Sequence, residues 1–220
     1  MKLAIFDFDG TLFKEETIPY LMDKWEEFGY SKYSKTAVKK KLLKKYFLNK
    51  IKLLSKESFR IQATMDFLKI FEGMNREEIQ VFFEKSCKNI GDFYNKKVLE
   101  EIEKASNNGY KLVMVSGCFQ IMLDIALRDL PFQIVIGTKL PIKENGINFE
   151  QDIKIISGMK KKDEILGSLS EDLVNWKESK AYGDSLYDRY IMELTGNPTA
   201  VTPDADLRSY AKNHNWKIID

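Results

Sequence analysis

The sequence predicts an α/β protein in which the strands of a parallel sheet alternate with helices and a helical segment is inserted near the beginning. The first observation is a set of short apolar segments, rich in β-branched and aromatic residues and bounded by turn residues, as in buried parallel strands. These segments are KLAIF, KLVMVS, FQIVIG, KAYGDS and TAVTP. The second is that helical patterns separate them, including residues 95–108, closed by Gly109, and residues 119–130, closed by Pro131. This alternation indicates right-handed crossovers between parallel strands.

The third observation is the length of chain between the first two strand segments, since residues 7–110 are far too many for a single crossover. Most of this stretch has a helical pattern, and we expect helices over residues 19–28, 35–52, 58–71 and 76–90. We therefore expect a helical cap domain over residues 14–91, inserted into a core formed by residues 1–13 and 92–220. Within the core, the turn dipeptide Asn-Gly in TKLPIKENGINFE indicates a β-hairpin outside the main sheet.

Composition and charge exclude several classes of protein. The chain has 220 residues, of which 44% are hydrophobic and 31% charged, as in globular proteins, and its net charge of +2 indicates no particular partner. No signal-peptide pattern and no apolar run of membrane-spanning length is present, so we expect a cytoplasmic protein. Cys87 and Cys118 are too few for a disulfide framework and lack the spacing of zinc ligands. We expect the single histidine, His214, at a surface helix terminus, so catalysis must depend on carboxylates and lysines.

Two aspartates follow the first apolar segment, in the run LAIFDFDGT, which contains Asp7 and Asp9. Burying a carboxylate is costly unless a cation compensates its charge. Ligands of open α/β sheets bind outside the carboxyl ends of the strands, where these two aspartates are expected to lie. The sequence therefore predicts a bound cation or a catalytic pocket at this edge of the sheet.

Three further segments place polar residues at the ends of strands or at the start of a helix. In VSGCF, Ser116 and Gly117 are expected to end a strand and open a helix, so a hydroxyl and backbone amides face the sheet edge. The segment SGMKKKDEIL supplies lysines at the start of a helical pattern, and AYGDSLYD places Asp184 and Asp188 just after another strand. Together these segments predict an anion site beside a group of carboxylates.

In this order, the four segments resemble the motifs of the haloacid dehalogenase superfamily, and specifically subfamily IB, its phosphoserine-phosphatase-like branch. The resemblance covers residues 1–13 and 92–203, and the C-terminal run GNPTAVTPDADLRSYAKNHNWKII is similar to the ending common in this branch. It implies a Rossmann-like core with a helical cap and a phosphatase that hydrolyses a phosphomonoester. Asp9 favours phosphoryl transfer over carbon–halogen cleavage, because dehalogenases of this superfamily lack the second aspartate.

The resemblance also implies roles for the aspartates. Asp7 would be the nucleophile that forms an aspartyl-phosphate, and Asp9 would protonate the leaving group and then activate the hydrolytic water. Mg²⁺ would be bound by the Asp7 carboxylate, the backbone carbonyl of Asp9 and Asp184, with Asp188 as an outer or alternative ligand. The metal would remove the repulsion between an anionic nucleophile and an anionic phosphate.

The phosphoryl oxygens would be bound by Ser116, the Gly117 amide and one lysine of the run KKK. The spacing from the preceding glycine favours Lys161. Lys160 and Lys162 stay open, because a run of lysines shifts register easily.

The substrate is implied less directly than the reaction, and we expect a small phosphorylated metabolite. Glu16 stands where phosphoserine phosphatases bind the amino group of the substrate, although a capping or surface role explains this glutamate equally well. Those enzymes also bind the substrate carboxylate through a cap arginine. Here Gln62 stands at that place, with Arg60 two residues earlier, so phosphoserine specificity stays open.

The alternative enzyme is a lipid phosphatase at a membrane surface, acting on phosphatidylglycerophosphate. Residues 32–56 contain ten lysines and no acidic residue, with apolar residues at helical spacing between them. Such a basic amphipathic segment is suited to weak contact with an anionic membrane. A lysine-rich solvated face over the core of a cap is the commoner explanation.

The alternative from another class is a noncatalytic protein that binds phosphate esters. The complete set of motif residues argues against it, because a binding protein needs neither a nucleophile nor an acid/base. No nucleic-acid recognition motif is present, and we expect no nucleic-acid partner.

Overall fold

A computed structural model describes residues 1–30, 56–169 and 173–220. In this part of the chain, six parallel strands form one sheet. The strands are β1 Leu3–Phe6, β2 Lys111–Phe119, β3 Ile134–Thr138, β6 Lys180–Gly183, β7 Asn197–Val201 and β8 Lys217–Ile219. Their order in the sheet is β3-β2-β1-β6-β7-β8. A separate antiparallel hairpin consists of β4 Ile142–Lys143 and β5 Gly146–Ile147. The predicted α/β class with a parallel sheet is therefore confirmed.

Strand β1 lies at the centre of the sheet, with β2 on one side and β6 on the other. Ile5 is in register with Val113 of β2 and with Ala181 of β6. All four residues of β1 are fully buried, as the continuous apolar run predicts for a strand covered on both faces. The end of β1 is therefore fixed from two sides, which matters because Asp7 comes directly after it.

The helices occupy most of the predicted positions. They are α1 Thr17–Glu27, α2 Lys56–Leu68, α3 Arg76–Cys87, α4 Lys96–Asn107, α5 Gln120–Ala126, α6 Met159–Ser168, α7 Arg189–Met192 and α8 Ala205–Asn213. Short 3₁₀ turns follow at Lys69–Phe71, Ile90–Phe93 and Leu186–Asp188. The helix predicted over residues 35–52 lies outside the described residues. None of the described helices is long and apolar enough to cross a membrane.

Two predictions about the core need correction. The helix predicted over residues 119–130 is shorter, because β2 continues to Phe119 and α5 covers only Gln120–Ala126. Strand β8 was not predicted, since its three residues are too few to show an apolar pattern. It completes the sheet by pairing with β7, where Ala200 is in register with Ile218.

The described residues divide into two compact units. The first contains residues 1–16, 89–138 and 156–220, and the second contains residues 17–88 and 139–155. The hairpin thus belongs to the second unit, whereas the sequence pattern assigns residues 139–155 to the core.

Close contacts within the second unit explain why the hairpin is part of it. The backbone N–H of Arg76 donates to the carbonyl of Glu144 at 3.1 Å, and the two side chains form an ion pair at 3.2 Å. Gly146 lies so close to the segment before α3 that a Cβ atom there would be 2.1 Å from the Met74 carbonyl oxygen. The hairpin therefore packs against the start of α3 through its backbone.

The core of the second unit is aromatic. Trp25 of α1 stacks on Tyr30 with ring centroids 4.3 Å apart, and it meets Phe71 and Phe82 edge-on. Edge-to-face pairs of this kind stabilise a core beyond the area they bury. These contacts explain the apolar positions that predicted helices in this region.

The start of α3 carries a capping box that the acidic first turn NREE indicates. The Asn75 side chain accepts a hydrogen bond from the Glu78 backbone, and the Glu78 side chain accepts one from the Asn75 backbone. We predict that Asn75→Ala lowers the free energy of unfolding of this unit by about 1 kcal/mol, because an N–H group loses its acceptor. Asn75→Asp keeps the acceptor and should stay within a few tenths of a kcal/mol of the wild type.

Urea unfolding followed by tryptophan fluorescence, to which Trp25 of this unit contributes, would measure both variants. Equal stability of Asn75→Ala and Asn75→Asp would contradict the importance of the cap.

Candidate active site

The site is built around Asp7, the first residue after β1. Its backbone N–H donates to the Tyr182 carbonyl of β6 at 3.0 Å, which continues the pairing of the two strands. The chain then turns sharply, since the N–H groups of Thr11 and Phe13 both donate to the Phe8 carbonyl. Asp7 is only 5% exposed, so its carboxylate is almost entirely shielded from water.

Two further carboxylates lie beside Asp7. Asp184 directly follows β6, and Asp188 ends the 3₁₀ turn after it. One ligand atom from each of Asp7, Asp184 and Asp188 lies within 4.8 Å of the others. The structure therefore brings together three of the four predicted aspartates.

Two glycines allow this close packing. A Cβ atom at Gly10, whose φ is +73°, would be 2.4 Å from Oδ2 of Asp184. A Cβ atom at Gly183 would be 2.4 Å from Cβ of Asp188. Any side chain at either position would displace a carboxylate. Both glycines are therefore needed to leave room for the carboxylates of Asp184 and Asp188.

The ammonium of Lys161 lies between two of the carboxylates. It is 2.7 Å from Oδ1 of Asp7 and donates a hydrogen bond of 2.6 Å to Oδ1 of Asp188. Lys161 is 4% exposed, whereas Lys160 and Lys162 are only half-buried. The first turn of α6 thus directs one of the three candidate lysines into the site.

Asp188 is held from both sides. While Oδ1 accepts from Lys161, Oδ2 accepts from the backbone N–H of Ser185 at 3.1 Å and from its hydroxyl at 3.0 Å. Both oxygens therefore accept hydrogen bonds, and one of the donors is the Lys161 ammonium. Ser185 was not predicted from the sequence. The signal for it is a serine three residues before an aspartate at a strand end, which is the spacing of a capping box.

The site carries more negative than positive charge. Burial raises the pKa of Asp7 to about 6, the nearby Lys161 opposes this rise, and the charge of Asp188 adds to it. The pKa of Asp184 rises to about 9, first through burial and then through the charges of Asp188 and Asp7. Burial alone would lower the pKa of Lys161, but the attraction of Asp188 and Asp7 outweighs it and raises the value. One buried ammonium therefore does not balance three carboxylates.

This charge excess makes the site suited to a divalent cation. In the described part of the chain, Oδ1 of Asp7 has no hydrogen-bond donor of good geometry, so its contact with Lys161 is an ion pair only. Carboxylate oxygens with spare acceptor capacity are the ligands that hard cations prefer. Asp7 and Asp184 could therefore hold a metal ion beside Asp188, and their oxygen donors fit Mg²⁺.

The predicted phosphate-binding residues lie on the strand next to β1. Ser116 and Gly117 are part of β2, which continues to Phe119, so they do not open a helix as expected. Ser116 is 1% exposed, and its hydroxyl oxygen accepts from the backbone N–H of Cys118 at 3.2 Å. The segment is thus an extended, irregular strand end.

Asp9 and Glu16 are less buried than Asp7. Asp9 is half-buried in the turn after β1, and its side chain is not a member of the three-carboxylate group. Glu16 is exposed, but its charge contributes to the raised pKa of Asp184, so it lies within electrostatic reach of the site. His214 lies at the exposed end of α8, as predicted.

A cleft of about 510 Å³ lies elsewhere on the first unit. Its lining includes Lys180, Asn197 and Lys217, which begin β6, β7 and β8. The carboxylates follow the opposite ends of parallel strands, so the cleft contains none of the predicted site residues.

Solved structures share this fold. A protein of unknown function from Bordetella pertussis Tohama I aligns with a TM-score of 0.83 at 19% identity, covering 100% of this chain and 98% of that chain. A phosphoserine phosphatase in its apo form aligns with a TM-score of 0.68 at 21% identity, covering 99% and 92%. At these identities the likeness concerns the fold.

Sequence comparison finds a short match and a long one. Phosphoserine phosphatase SerB1 of Mycobacterium tuberculosis is 43% identical over 47 residues, which are 21% of this chain and only 15% of that protein. The match to a family profile is far more extensive, because it runs from residue 4 to residue 193. On that match, together with the fold and the buried carboxylates, the protein belongs to the haloacid dehalogenase-like hydrolase family.

Proposed function

We propose that this protein is a Mg²⁺-dependent phosphatase that hydrolyses a small phosphomonoester through an aspartyl-phosphate on Asp7. The observation that carries the proposal is the buried carboxylate of Asp7, with the Lys161 ammonium at 2.7 Å and two further carboxylates beside it. This arrangement combines an anionic nucleophile with a cation that can hold a phosphoryl oxygen.

In the first step, a carboxylate oxygen of Asp7 forms a bond to phosphorus while the bond from phosphorus to the substrate oxygen breaks. Asp9 gives its proton to the departing alkoxide. In the second step, water attacks the phosphorus of the aspartyl-phosphate and passes a proton to Asp9. This releases inorganic phosphate and restores the Asp7 carboxylate.

Mg²⁺ would be held by the carboxylates of Asp7 and Asp184 and by the backbone carbonyl of Asp9. When bound, the ion neutralises negative charge on the phosphate and on the attacking carboxylate. Asp188 is better assigned to orienting Lys161 than to binding metal, because both of its oxygens already accept hydrogen bonds.

Binding of the phosphoryl oxygens is assigned to the Ser116 hydroxyl, the Gly117 amide and Lys161. The Lys161 ammonium fits this role since it is already held at the nucleophile by Asp188. The assignment favours Lys161 over Lys160 and Lys162, whose side chains are less buried.

The substrate class that we propose is a small phosphorylated metabolite, with phosphoserine as the first candidate. Support comes from the match to a phosphoserine phosphatase and from Glu16, an exposed carboxylate in reach of the site that could bind an amino group. The lipid phosphatase alternative depends on the basic segment over residues 32–56. Almost all of that segment lies outside the described residues, so no structural observation favours it.

The proposal is tested by release of inorganic phosphate, with Mg²⁺ or EDTA, from phosphoserine, other small phosphomonoesters and phosphatidylglycerophosphate in mixed micelles. We expect turnover that requires Mg²⁺ and falls by roughly 10³-fold or more in Asp7→Asn, which lacks the nucleophile. Asp163→Asn, at an exposed position of α6, is the matched control and should retain full activity. Full activity of folded Asp7→Asn would refute the proposal.

The lysine assignment gives a separate prediction. Lys161→Ala should lower turnover by about 10²- to 10³-fold, because a charge-stabilising donor is lost at the phosphoryl group. Lys160→Ala and Lys162→Ala should each change turnover less than twofold, since neither side chain is buried in the carboxylate site as Lys161 is. Steady-state kinetics of the three variants would measure these changes. A larger loss of turnover in Lys160→Ala or Lys162→Ala than in Lys161→Ala would assign phosphate binding to that lysine instead.

The carboxylate pKa values predict how stability depends on pH. Asp184 has its pKa raised from 3.8 to about 9, so it favours folding in its protonated form. That contribution is complete below about pH 4 and is lost as the pH rises through about 9. Without metal, the melting temperature should therefore fall across this range. Mg²⁺ should restore it most at the alkaline end, where the carboxylates are ionised.

Thermal unfolding across this pH range, with and without Mg²⁺, measures the effect. Asp184→Asn is the control, because it removes the group that titrates near pH 9 and should lose the alkaline part of the decline and the increment from Mg²⁺. The decline near pH 6, which comes from Asp7, should remain. An equal Mg²⁺ increment in Asp184→Asn would contradict the assignment of this residue as a metal ligand.

A further inference from the structure

We propose that Thr138, the last residue of β3, is a positioning residue for the phosphate-binding end of β2. The inference rests on the proposed function, because it assigns to Thr138 the orientation of Ser116 and Gly117. It follows from the way in which β2 leaves its regular pairing with β3.

The end of β2 forms a bulge. Val115 is in register with Ile136, and the next paired residues are Phe119 and Thr138. Three residues of β2, Ser116 to Cys118, therefore lie opposite a single residue of β3. Bulges of this kind turn side chains and backbone groups away from the ladder, and they are frequent next to active sites.

Gly137, the residue opposite the bulge, lets the two strands approach closely. A Cβ atom there would be 2.9 Å from the Cys118 carbonyl oxygen and 2.7 Å from Cδ1 of Leu123. The Gly137 N–H, which the bulge deprives of a ladder partner, donates instead to Oε1 of Gln120 at 2.6 Å. The bulge is thus compensated on the β3 side by a side chain of α5.

Thr138 holds the bulge itself. Its hydroxyl donates to the Gly117 carbonyl at 2.9 Å and accepts from the Ile156 N–H at 3.2 Å. Thr138 is 1% exposed, so water does not replace either bond if the hydroxyl is removed. The chain leaves the first unit after Thr138 and returns to it at Ile156. The Thr138 hydroxyl therefore connects both of these points to the bulge.

The carbonyl that Thr138 binds belongs to the peptide group between Gly117 and Cys118. The N–H of this peptide group donates to the hydroxyl oxygen of Ser116 at 3.2 Å. Thr138 therefore fixes the orientation of this peptide group. The N–H of the peptide group in turn holds the Ser116 hydroxyl oxygen as a hydrogen-bond acceptor. No described residue accepts the Ser116 hydroxyl hydrogen, which leaves it to donate to a phosphoryl oxygen.

The test compares Thr138→Val, which keeps the shape and loses the hydroxyl, with Thr138→Ser, which keeps the hydroxyl. We expect Thr138→Val to raise the inhibition constant of inorganic phosphate and the KM of the substrate by about tenfold, because the phosphate donor is misoriented. Thr138→Ser should stay within about twofold of the wild type. If Thr138→Val does not fold, Thr138→Ala takes its place in the comparison.

Three results are distinguishable. A raised phosphate inhibition constant in Thr138→Val, restored by serine, supports the inference. An active wild type whose phosphate inhibition constant is the same in Thr138→Val overturns the inference and leaves the proposed function intact. A wild type that neither releases phosphate from any substrate of the panel nor binds inorganic phosphate in isothermal titration overturns both.

Discussion

The contact of the Lys161 ammonium with Asp7 and Asp188 is the interaction on which the rest of the site depends. Without it, three carboxylates would lie together in a buried space, and repulsion and desolvation would protonate or displace them. The lysine compensates only part of that charge, since the pKa of Asp184 still rises to about 9. A site left with excess negative charge is suited to a divalent cation. A cation at that place would also attract the negatively charged oxygens of a phosphate ester.

The sheet brings these groups together through its strand order. Asp7 follows β1, and the two strands that flank β1 carry Ser116 and Asp184 at the same edge. Regular strands alone would not orient these side chains toward one another. Glycine at positions 10 and 183 admits the carboxylates, while the bulge in β2 turns the serine segment out of the ladder. The regular part of the fold therefore supplies proximity, and local irregularities supply orientation.

The sequence allowed prediction of the parallel sheet and of carboxylates at the end of its first strand, because short apolar runs and the aspartates that follow them are local patterns. It did not indicate β8, whose three residues are too short to form a pattern, or the bulge, which becomes visible only when β2 is aligned with β3. It favoured Lys161 but left Lys160 and Lys162 open, since neighbouring lysines are chemically identical and differ only in burial. Ser185 was missed because its hydrogen bonds to Asp188 depend on the turn geometry.

The most direct test of the account is the identity of the residue that becomes phosphorylated during turnover. The protein would be mixed with a ³²P-labelled phosphomonoester that it hydrolyses, quenched in acid within one turnover and digested for peptide mapping. The account predicts a hydroxylamine-sensitive label on the peptide that contains Asp7, lost in Asp7→Asn and retained in Asp163→Asn. A label on another residue, or single-turnover phosphate release with no labelled protein at any time, would contradict it.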